Sequence, residues 1–440
     1  MKDLEGLPSD KVIMTNESPW RPGSGRPGRK LRLAYFVTHP IQYQAPLLRR
    51  VAQESDIDLK VYFSSDLTVR GHVDPGFGVA LKWDVPLLAG YQFEFLPRLR
   101  DSDRLSFFRP LNWGIYKRLR DGQYDAVWVH GYATATALQA ILAARWLGIP
   151  VLVRAESTLF DRSRSRPKTI TKALFFRVLR TCISAVLSIG DANSAYWRHY
   201  LGEEVPIFPF YYSVDNDFFQ QRCREASVTR EDFRRELGLE PGRSVILYAS
   251  KLQTRKRCGD LLAAFLRLST EQTIEPLPYL LIVGDGEERA ALQERAKSAR
   301  PGDVRFLGFQ NQTALPRFFD LSDVFVLASV DEPWGLVVNE VMNAGKAVIV
   351  SNEVGCQKNL VEDGVNGCVV RARDVDGLAN SLKRILADPQ RSREMGLKSL
   401  EKIQEFSFEQ NVSGLRSALE AVVPAFIAVR QSPHWQYVAD

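Results

Sequence analysis

Two carboxylates, Glu332 and Glu340, lie in the stretch DEPWGLVVNEVMNAGKAVIV, residues 331–350, with seven residues between them. Glu332 to Gly335 reads as a loop leaving a strand at 323–329. Leu336 to Ala344 reads as a short helix, with Gly345 as its left-handed stop and 347–351 as the next strand. The β-branched Val337, Val338 and Val341 would favour a strand, but the polar residues argue for a helix. Asn339 and Asn343 are four apart and Glu340 and Asn343 three apart, so at helical period they form one polar stripe on an apolar rod. Such a rod is buried nearly all round, and Glu340 needs a partner because an unpaired buried charge is costly. A loop and helix N-terminus after a strand are also where α/β folds bind ligands. The plain alternative is two acids favouring the positive end of a helix dipole.

A second group of chemical residues lies in SKLQTRKRCGDLLAAF, where a strand ends at Ser250 and a helix starts near Asp260. The loop between them carries Lys251, Arg255, Lys256 and Arg257. Cations at the C-terminal end of a strand suit an anion such as phosphate; a solvated basic turn is the alternative. Gly284-Asp285-Gly286 is too short for a dinucleotide fingerprint, yet its glycines would let backbone approach a ligand. Gly308, in the turn at 307–309, is similar. His39, Gln42 and Tyr43 follow the first strand, and His130 ends the strand YDAVWVH. All four sit at C-terminal strand edges, where substrates bind. Arg154 and Glu156 end another strand and either pair with each other or contact a substrate. Residues 160–180 mix five arginines and two lysines with Phe175 and Phe176, which fits an anionic membrane surface or a solvated basic helix.

The elements that position these residues alternate. Strand candidates at 31–37, 58–64, 124–130, 150–156 and 185–190 are separated mostly by helical stretches. A second run follows at 244–250, 278–284, 303–308, 323–329 and 347–351. Near-continuous apolar strands alternating with helices imply doubly wound parallel sheets, here two of them. The junction falls in 208–219, read as two strand-like halves broken by Pro209. Residues 1–29 are rich in Pro, Gly, Ser and Arg and read as a disordered arm.

With 440 residues the chain is expected to hold two or three domains. No apolar run is long enough to span a membrane, and the first residues lack an apolar signal core. Five scattered cysteines suggest a reducing compartment and no zinc site. A net charge of +6 suits nucleotide phosphates or an anionic membrane face as well as nucleic acid. Three Asp-x-Asp triplets, at 101–103, 215–217 and 374–376, invite a metal reading. None follows a strand leading into the basic loop, and Asp374 reads as a helix cap.

The two glutamates, with Pro333, Gly335 and the following AGKAVIVS, resemble the Glu, seven residues, Glu motif of retaining glycosyltransferases of family 4. The resemblance implies the GT-B fold: α/β, with two Rossmann-like doubly wound domains facing a central cleft. It implies an acceptor-side domain at 30–210, a nucleotide-sugar domain at 211–405, and a C-terminal helix, 406–440, crossing back to the first domain. Glu332 would then face the donor sugar and Glu340 the ribose. Lys251-Leu252 and Lys256-Arg257 match the family's Arg-Leu and Lys-Gly, with lysine for arginine and arginine for glycine. Lys251 and Lys256 would stabilise the leaving diphosphate, while Gly335, Leu336, Gly284 and Gly308 would border the nucleotide. His130 matches a family histidine that faces the bond made and broken. His39, Gln42, Tyr43 and Arg154 would serve the acceptor, although the family's glycine-rich loop after the first strand is missing.

The activity so implied is transfer from a nucleoside-diphosphate sugar to a glycan or lipid-linked acceptor, in polysaccharide or glycoconjugate biosynthesis. The family retains configuration by front-face attack with the leaving phosphate as base. No metal, cofactor or nucleic acid is expected. The expected location is cytoplasmic, with the inner face of the membrane as a candidate contact. Other readings are a GT-B phosphorylase, which would carry pyridoxal phosphate on a lysine, an epimerase, or a non-catalytic sugar- or nucleic-acid-binding protein.

Overall fold

The computed structural model describes residues 29–73, 80–100, 105–159, 166–272, 274–424 and 426. The arm at 1–28, the triplet at 101–103 and the side chains of Arg162, Arg164 and Arg166 lie outside the described residues. Seven parallel strands form the first sheet: β1 (Leu31–Val37), β2 (Ile57–Phe63), β3 (Gln92–Phe95), β4 (Ala126–His130), β5 (Val151–Arg154), β6 (Ala185–Ser188) and β7 (Ile207–Pro209). Their order is β7-β6-β5-β4-β1-β2-β3. Six parallel strands form the second: β8 (Val245–Ala249), β9 (Tyr279–Val283), β10 (Val304–Phe306), β11 (Val324–Leu327), β12 (Ala347–Ser351) and β13 (Gly367–Val370), in the order β10-β9-β8-β11-β12-β13.

Central strands such as β8 (VILYA) and β12 (AVIVS) are buried at every position, because helices cover both faces of each sheet. The helices that bear on the site are α1 (Ala135–Trp146), α2 (Arg166–Leu179), α3 (Asn216–Val228), α4 (Cys258–Glu271), α5 (Val337–Met342) and α6 (Phe408–Val422).

The stretch at 208–219 differs from its sequence reading. Pro209 ends β7, an edge strand, where a missing N–H is tolerated. Residues 210–215 are then irregular, and Asp215 caps α3 by accepting from the Phe218 N–H at 3.0 Å. Helix α6 lies on the first sheet: Val412, Leu415, Ala418 and Leu419 share a buried cluster with Leu33, Trp128 and Phe210. Arg416 pairs with Glu54 and Asp56, and Arg50 reaches Glu409 at 2.6 Å, fixing that packing by charge.

In each sheet the strand order reverses beside one strand. The reversal lies between β1 and β4 in the first sheet and between β8 and β11 in the second. Ligands bind outside the C-terminal strand ends at such points, and the candidate side chains sit there.

Candidate functional site

A cavity of about 420 Å³ opens between the two domains. Lys251, Arg255 and Lys256 enter it from the loop after β8, Gly284 from the loop after β9, and Glu332, Gly335, Leu336 and Glu340 from the segment after β11. From the first domain His39, Gln42 and Tyr43 line the same space. These three therefore lie across from the basic loop rather than in a compartment of their own.

Glu332 binds both flanking cations. Its Oε2 accepts from Lys256 Nζ and, at 3.2 Å, from Arg255 Nη1. Lys256 is only 9% exposed, and burial lowers its pKa against the charge of Glu332. Arg257 turns away. It adopts a left-handed φ of 55° and holds Asp260 with two bonds of 2.7 Å. That conformation suits glycine, so three of the loop's four cations line the cavity.

Helix α5 is shorter than its sequence reading, beginning after Leu336 and ending before Asn343, with Gly345 left-handed at φ 64°. The expected polar stripe divides. Asn339 accepts from Trp334 Nε1 at 2.8 Å and donates to the Tyr212 carbonyl at 3.0 Å, while Asn343 donates to Asn216 at 2.8 Å. Those amides tie α5 to the segment that joins the domains. Glu340 alone faces the cavity. Its carboxylate has no side-chain partner among the described residues, and burial pushes its pKa up to about 8.

Two glycines have steric reasons. A Cβ on Gly284, which has φ 130°, would lie 2.0 Å from the Ser250 carbonyl, so this glycine lets the loops after β8 and β9 meet. Gly335, at φ 92°, would place a Cβ 2.8 Å from Leu327 and 2.9 Å from Val354. Gly308 does not reach the cavity. Its carbonyl accepts from the Gly284 N–H at 2.8 Å, while its neighbours Phe309 and Gln310 provide the lining.

His130 stands in an adjoining cavity of about 340 Å³, with Tyr132, Glu156, Ser157 and Asp331. Its Nδ1 meets Gln44 Nε2 at 3.0 Å, Tyr35 Oη at 3.1 Å and Arg154 Nη1 at 3.4 Å. Nε2 lies 3.5 Å from Glu156 Oε1. Burial holds the imidazole pKa below its ordinary value despite that carboxylate.

Arg154 lines neither cavity. It is 2% exposed, and its guanidinium lies 4.6 Å from the Tyr212 ring centre and 5.5 Å from that of Phe210. The expectation of direct acceptor contact by Arg154 is corrected on this ground: the aromatic rings of the interdomain segment cover it. Tyr35, Gln44 and Tyr212 were not singled out from sequence. Each is an unremarkable residue locally, and a fold is needed to gather them.

The described residues contain no cluster of three or more His, Cys, Asp or Glu able to hold a metal. Asp374, like Asp215, is a helix cap and accepts from the Gly377 N–H at 2.8 Å. All five cysteines are free thiols.

Residues 229–401 match the family model for glycosyl transferases group 1. The chain is 32% identical over 158 residues to an uncharacterized glycosyltransferase of Methanocaldococcus jannaschii, covering 36% of this chain and 39% of that one. It is 30% identical over 182 residues to the N-acetyl-alpha-D-glucosaminyl L-malate synthase of Bacillus anthracis, covering 41% and 46%. The aligned stretches thus span less than half the length of these relatives. In fold, the chain is similar to Anabaena HepE solved with UDP and glucose. The TM-score is 0.64 at 18% identity, covering 89% of this chain and 100% of that one. The architecture is GT-B, and residues 229–401 are similar to the glycosyl transferases group 1 family.

Proposed function

We propose that the chain is a retaining glycosyltransferase of family 4 that moves a glycosyl group from a nucleoside-diphosphate sugar to a hydroxyl of a glycan or lipid-linked acceptor. One observation carries this reading. Three cations suited to a diphosphate share a cavity with Glu340, a half-buried carboxylate with no side-chain partner among the described residues. Ribose hydroxyls are donors that would satisfy it.

In this reading the leaving diphosphate meets Lys251, Arg255 and Lys256 as the glycosidic bond lengthens. The sugar centre gains oxocarbenium character near Glu332. Because Glu332 holds Lys256 and Arg255, it sets the position of the cations that receive the phosphate. The acceptor hydroxyl attacks from the leaving-group face and passes its proton to the departing phosphate, so configuration is retained. Side chains supply the counter-charge, and no metal is required.

The acceptor-side domain also presents a surface suited to an anionic bilayer. On α1, Leu142 and the 80% exposed Trp146 lie one turn apart. On α2, Ile170, Leu174 and Val178 form a second exposed stripe. Arg145 joins the two by donating to the Thr181 carbonyl at 3.2 Å, and Arg177 and Arg180 are exposed beside them. An apolar stripe bordered by arginines fits a surface of acidic lipids, which supports a site of action at the inner face of a membrane. No described helix is long and apolar enough to cross one.

The test is a thermal-shift screen of UDP, GDP and ADP and their sugars. A ligand at a hundredfold excess over its Kd stabilises by about 2.7 kcal/mol. Glu340→Ala should weaken the responding nucleotide by about 1.5–3 kcal/mol, the value of a hydrogen bond to a charged group. A folded protein that answers none of them contradicts the proposal.

A further inference from the structure

The loop at 82–87 belongs to the first domain, yet it is fastened to the second. The Lys82 carbonyl accepts from Asn311 Nδ2 at 2.8 Å. Asp84 Oδ2 accepts from the Thr313 N–H at 3.2 Å and from the Thr313 hydroxyl. Just beyond, the chain is anchored in its own domain. The Pro86 carbonyl accepts from Arg49 Nη1 at 2.8 Å and the Leu87 carbonyl from the Tyr91 hydroxyl. The loop is thus a strap held at both ends. Lys82 and Asp84 are exposed, but Trp83 between them is half-buried and lines the cation-bearing cavity. Its indole N–H has no hydrogen-bond partner among the described residues. Trp83 belongs to no motif and was not singled out from sequence.

The strap lies over one end of the cavity. Asn311 and Thr313 belong to the loop after β10, whose neighbouring residues Phe309, Gln310 and Leu315 share the lining with Trp83. In the order β10-β9-β8 that loop is two strands from the basic loop after β8, about 10 Å away at the usual spacing of neighbouring strands. A ribose held by Glu340 would bridge that interval, with its diphosphate on the cations and its base at the loop after β10. The lining changes character accordingly. Lys251, Arg255 and Lys256 make one end charged, whereas Trp83, Phe309 and Leu315 make the other apolar. Gln310 adds one amide there. Its Nε2 is given to the Leu307 carbonyl at 2.9 Å, which leaves the amide oxygen as an acceptor. Aromatic and apolar walls with a single amide suit a planar heterocycle.

We propose that Trp83 is a nucleobase-binding residue, packing its ring on the base of the nucleoside diphosphate. The nucleotide itself rests on the transferase reading above. The donor is then gripped by both domains and not by the second alone. Bonds to Lys82 and Asp84, on either side of Trp83, fix its backbone before the ligand arrives, so little ordering remains to be done on binding. Every base has a π-face, so the contact adds affinity whichever base the donor carries. A tryptophan that only packed the two domains together would affect stability and leave the base contact as it was.

The probe is whichever of UDP, GDP and ADP binds the full chain most tightly. Calorimetry gives its Kd, and saturation-transfer NMR reads base and ribose protons in one spectrum. Expected in Trp83→Ala is a Kd raised about tenfold or more, the effect of a lost base–aromatic stack. The base signal should also fall about twofold or more relative to the ribose H1′ signal. Trp83→Leu, which keeps apolar bulk without a π-face, should behave alike and serves if the alanine variant does not fold. Trp83→Phe, which keeps a ring, should return the Kd to within about threefold of wild type. A Kd unchanged in the alanine and leucine variants overturns the inference. So does a weakened Kd with the base-to-ribose ratio unchanged, which would mark Trp83 as packing alone. A wild type that binds none of the three nucleotides overturns this inference and the transferase reading together, whereas nucleotide binding indifferent to Trp83 overturns this inference alone.

Discussion

In the proposed function, Glu340 would make nucleotide binding a proton-linked event. In the free protein burial raises its pKa to about 8, so at pH 7 about a tenth of the molecules carry the carboxylate. Ribose hydroxyls bind best to the ionised form, and the free protein must give up that proton to bind. The cost at pH 7 is about 1.4 kcal/mol, and it vanishes above about pH 9. The Kd of the responding nucleotide should therefore fall about tenfold between pH 7 and pH 9. The diphosphate itself titrates near pH 6, below that window. Calorimetry in buffers of different ionisation enthalpy should register close to one proton released per nucleotide at about pH 7. Glu340→Gln should flatten the profile and remove the release. The same shift acts on stability without ligand. The folded pKa, about 8, lies above the ordinary 4.5, so the folded state holds a proton that the unfolded chain releases. Stability is then lost as pH rises from about 4.5 to 8, by a few kcal/mol at most, and Glu340→Gln should not show that loss. A wild-type Kd that is constant from pH 7 to 9, with no proton exchange, would refute the reasoning.

Glu332→Gln should lower turnover at least tenfold while nucleotide affinity changes less than about threefold, since it releases Lys256 and Arg255 toward the diphosphate; equal losses in kinetics and calorimetry would count against the assignment. Transfer should persist after exhaustive chelation with EDTA, because lysine and arginine supply the counter-charge, whereas activity restored by Mn²⁺ or Mg²⁺ alone would show that a cation does. The protein should sediment with phosphatidylglycerol vesicles at low salt. Trp146→Glu with Leu174→Glu should abolish this, and indifference to both would leave α1 and α2 as solvated faces.

Much of the architecture is legible in the chain because a strand covered on both faces must be apolar at every position. Strands β1 and β12 match their expected spans, 31–37 and 347–351, to the residue. Edges are harder. β3 alternates polar and aromatic residues with Gln92 and Phe93 exposed, and β7 contains Pro209, so neither resembles the buried runs. Within the site, Glu332, Glu340 and the basic loop are local in sequence and could be read from spacing. The surroundings of Glu156 could not: Tyr43 and Tyr212, which clamp it, are 169 residues apart. Periodicity placed Asn339, Glu340 and Asn343 on one stripe, yet it carries no information about what each side chain meets. Two of the three hold the interdomain segment, and only Glu340 is left for a ligand.

The most direct test of the proposed transfer is a proton NMR time course of the purified chain with UDP-, GDP- and ADP-sugars and methyl glycosides of common hexoses as acceptors. Expected is loss of one donor's anomeric signal, release of its nucleoside diphosphate, and a product of the same anomeric configuration, all absent in Glu332→Gln. A correctly folded wild-type protein that leaves every donor intact, or a product of inverted configuration, would contradict it.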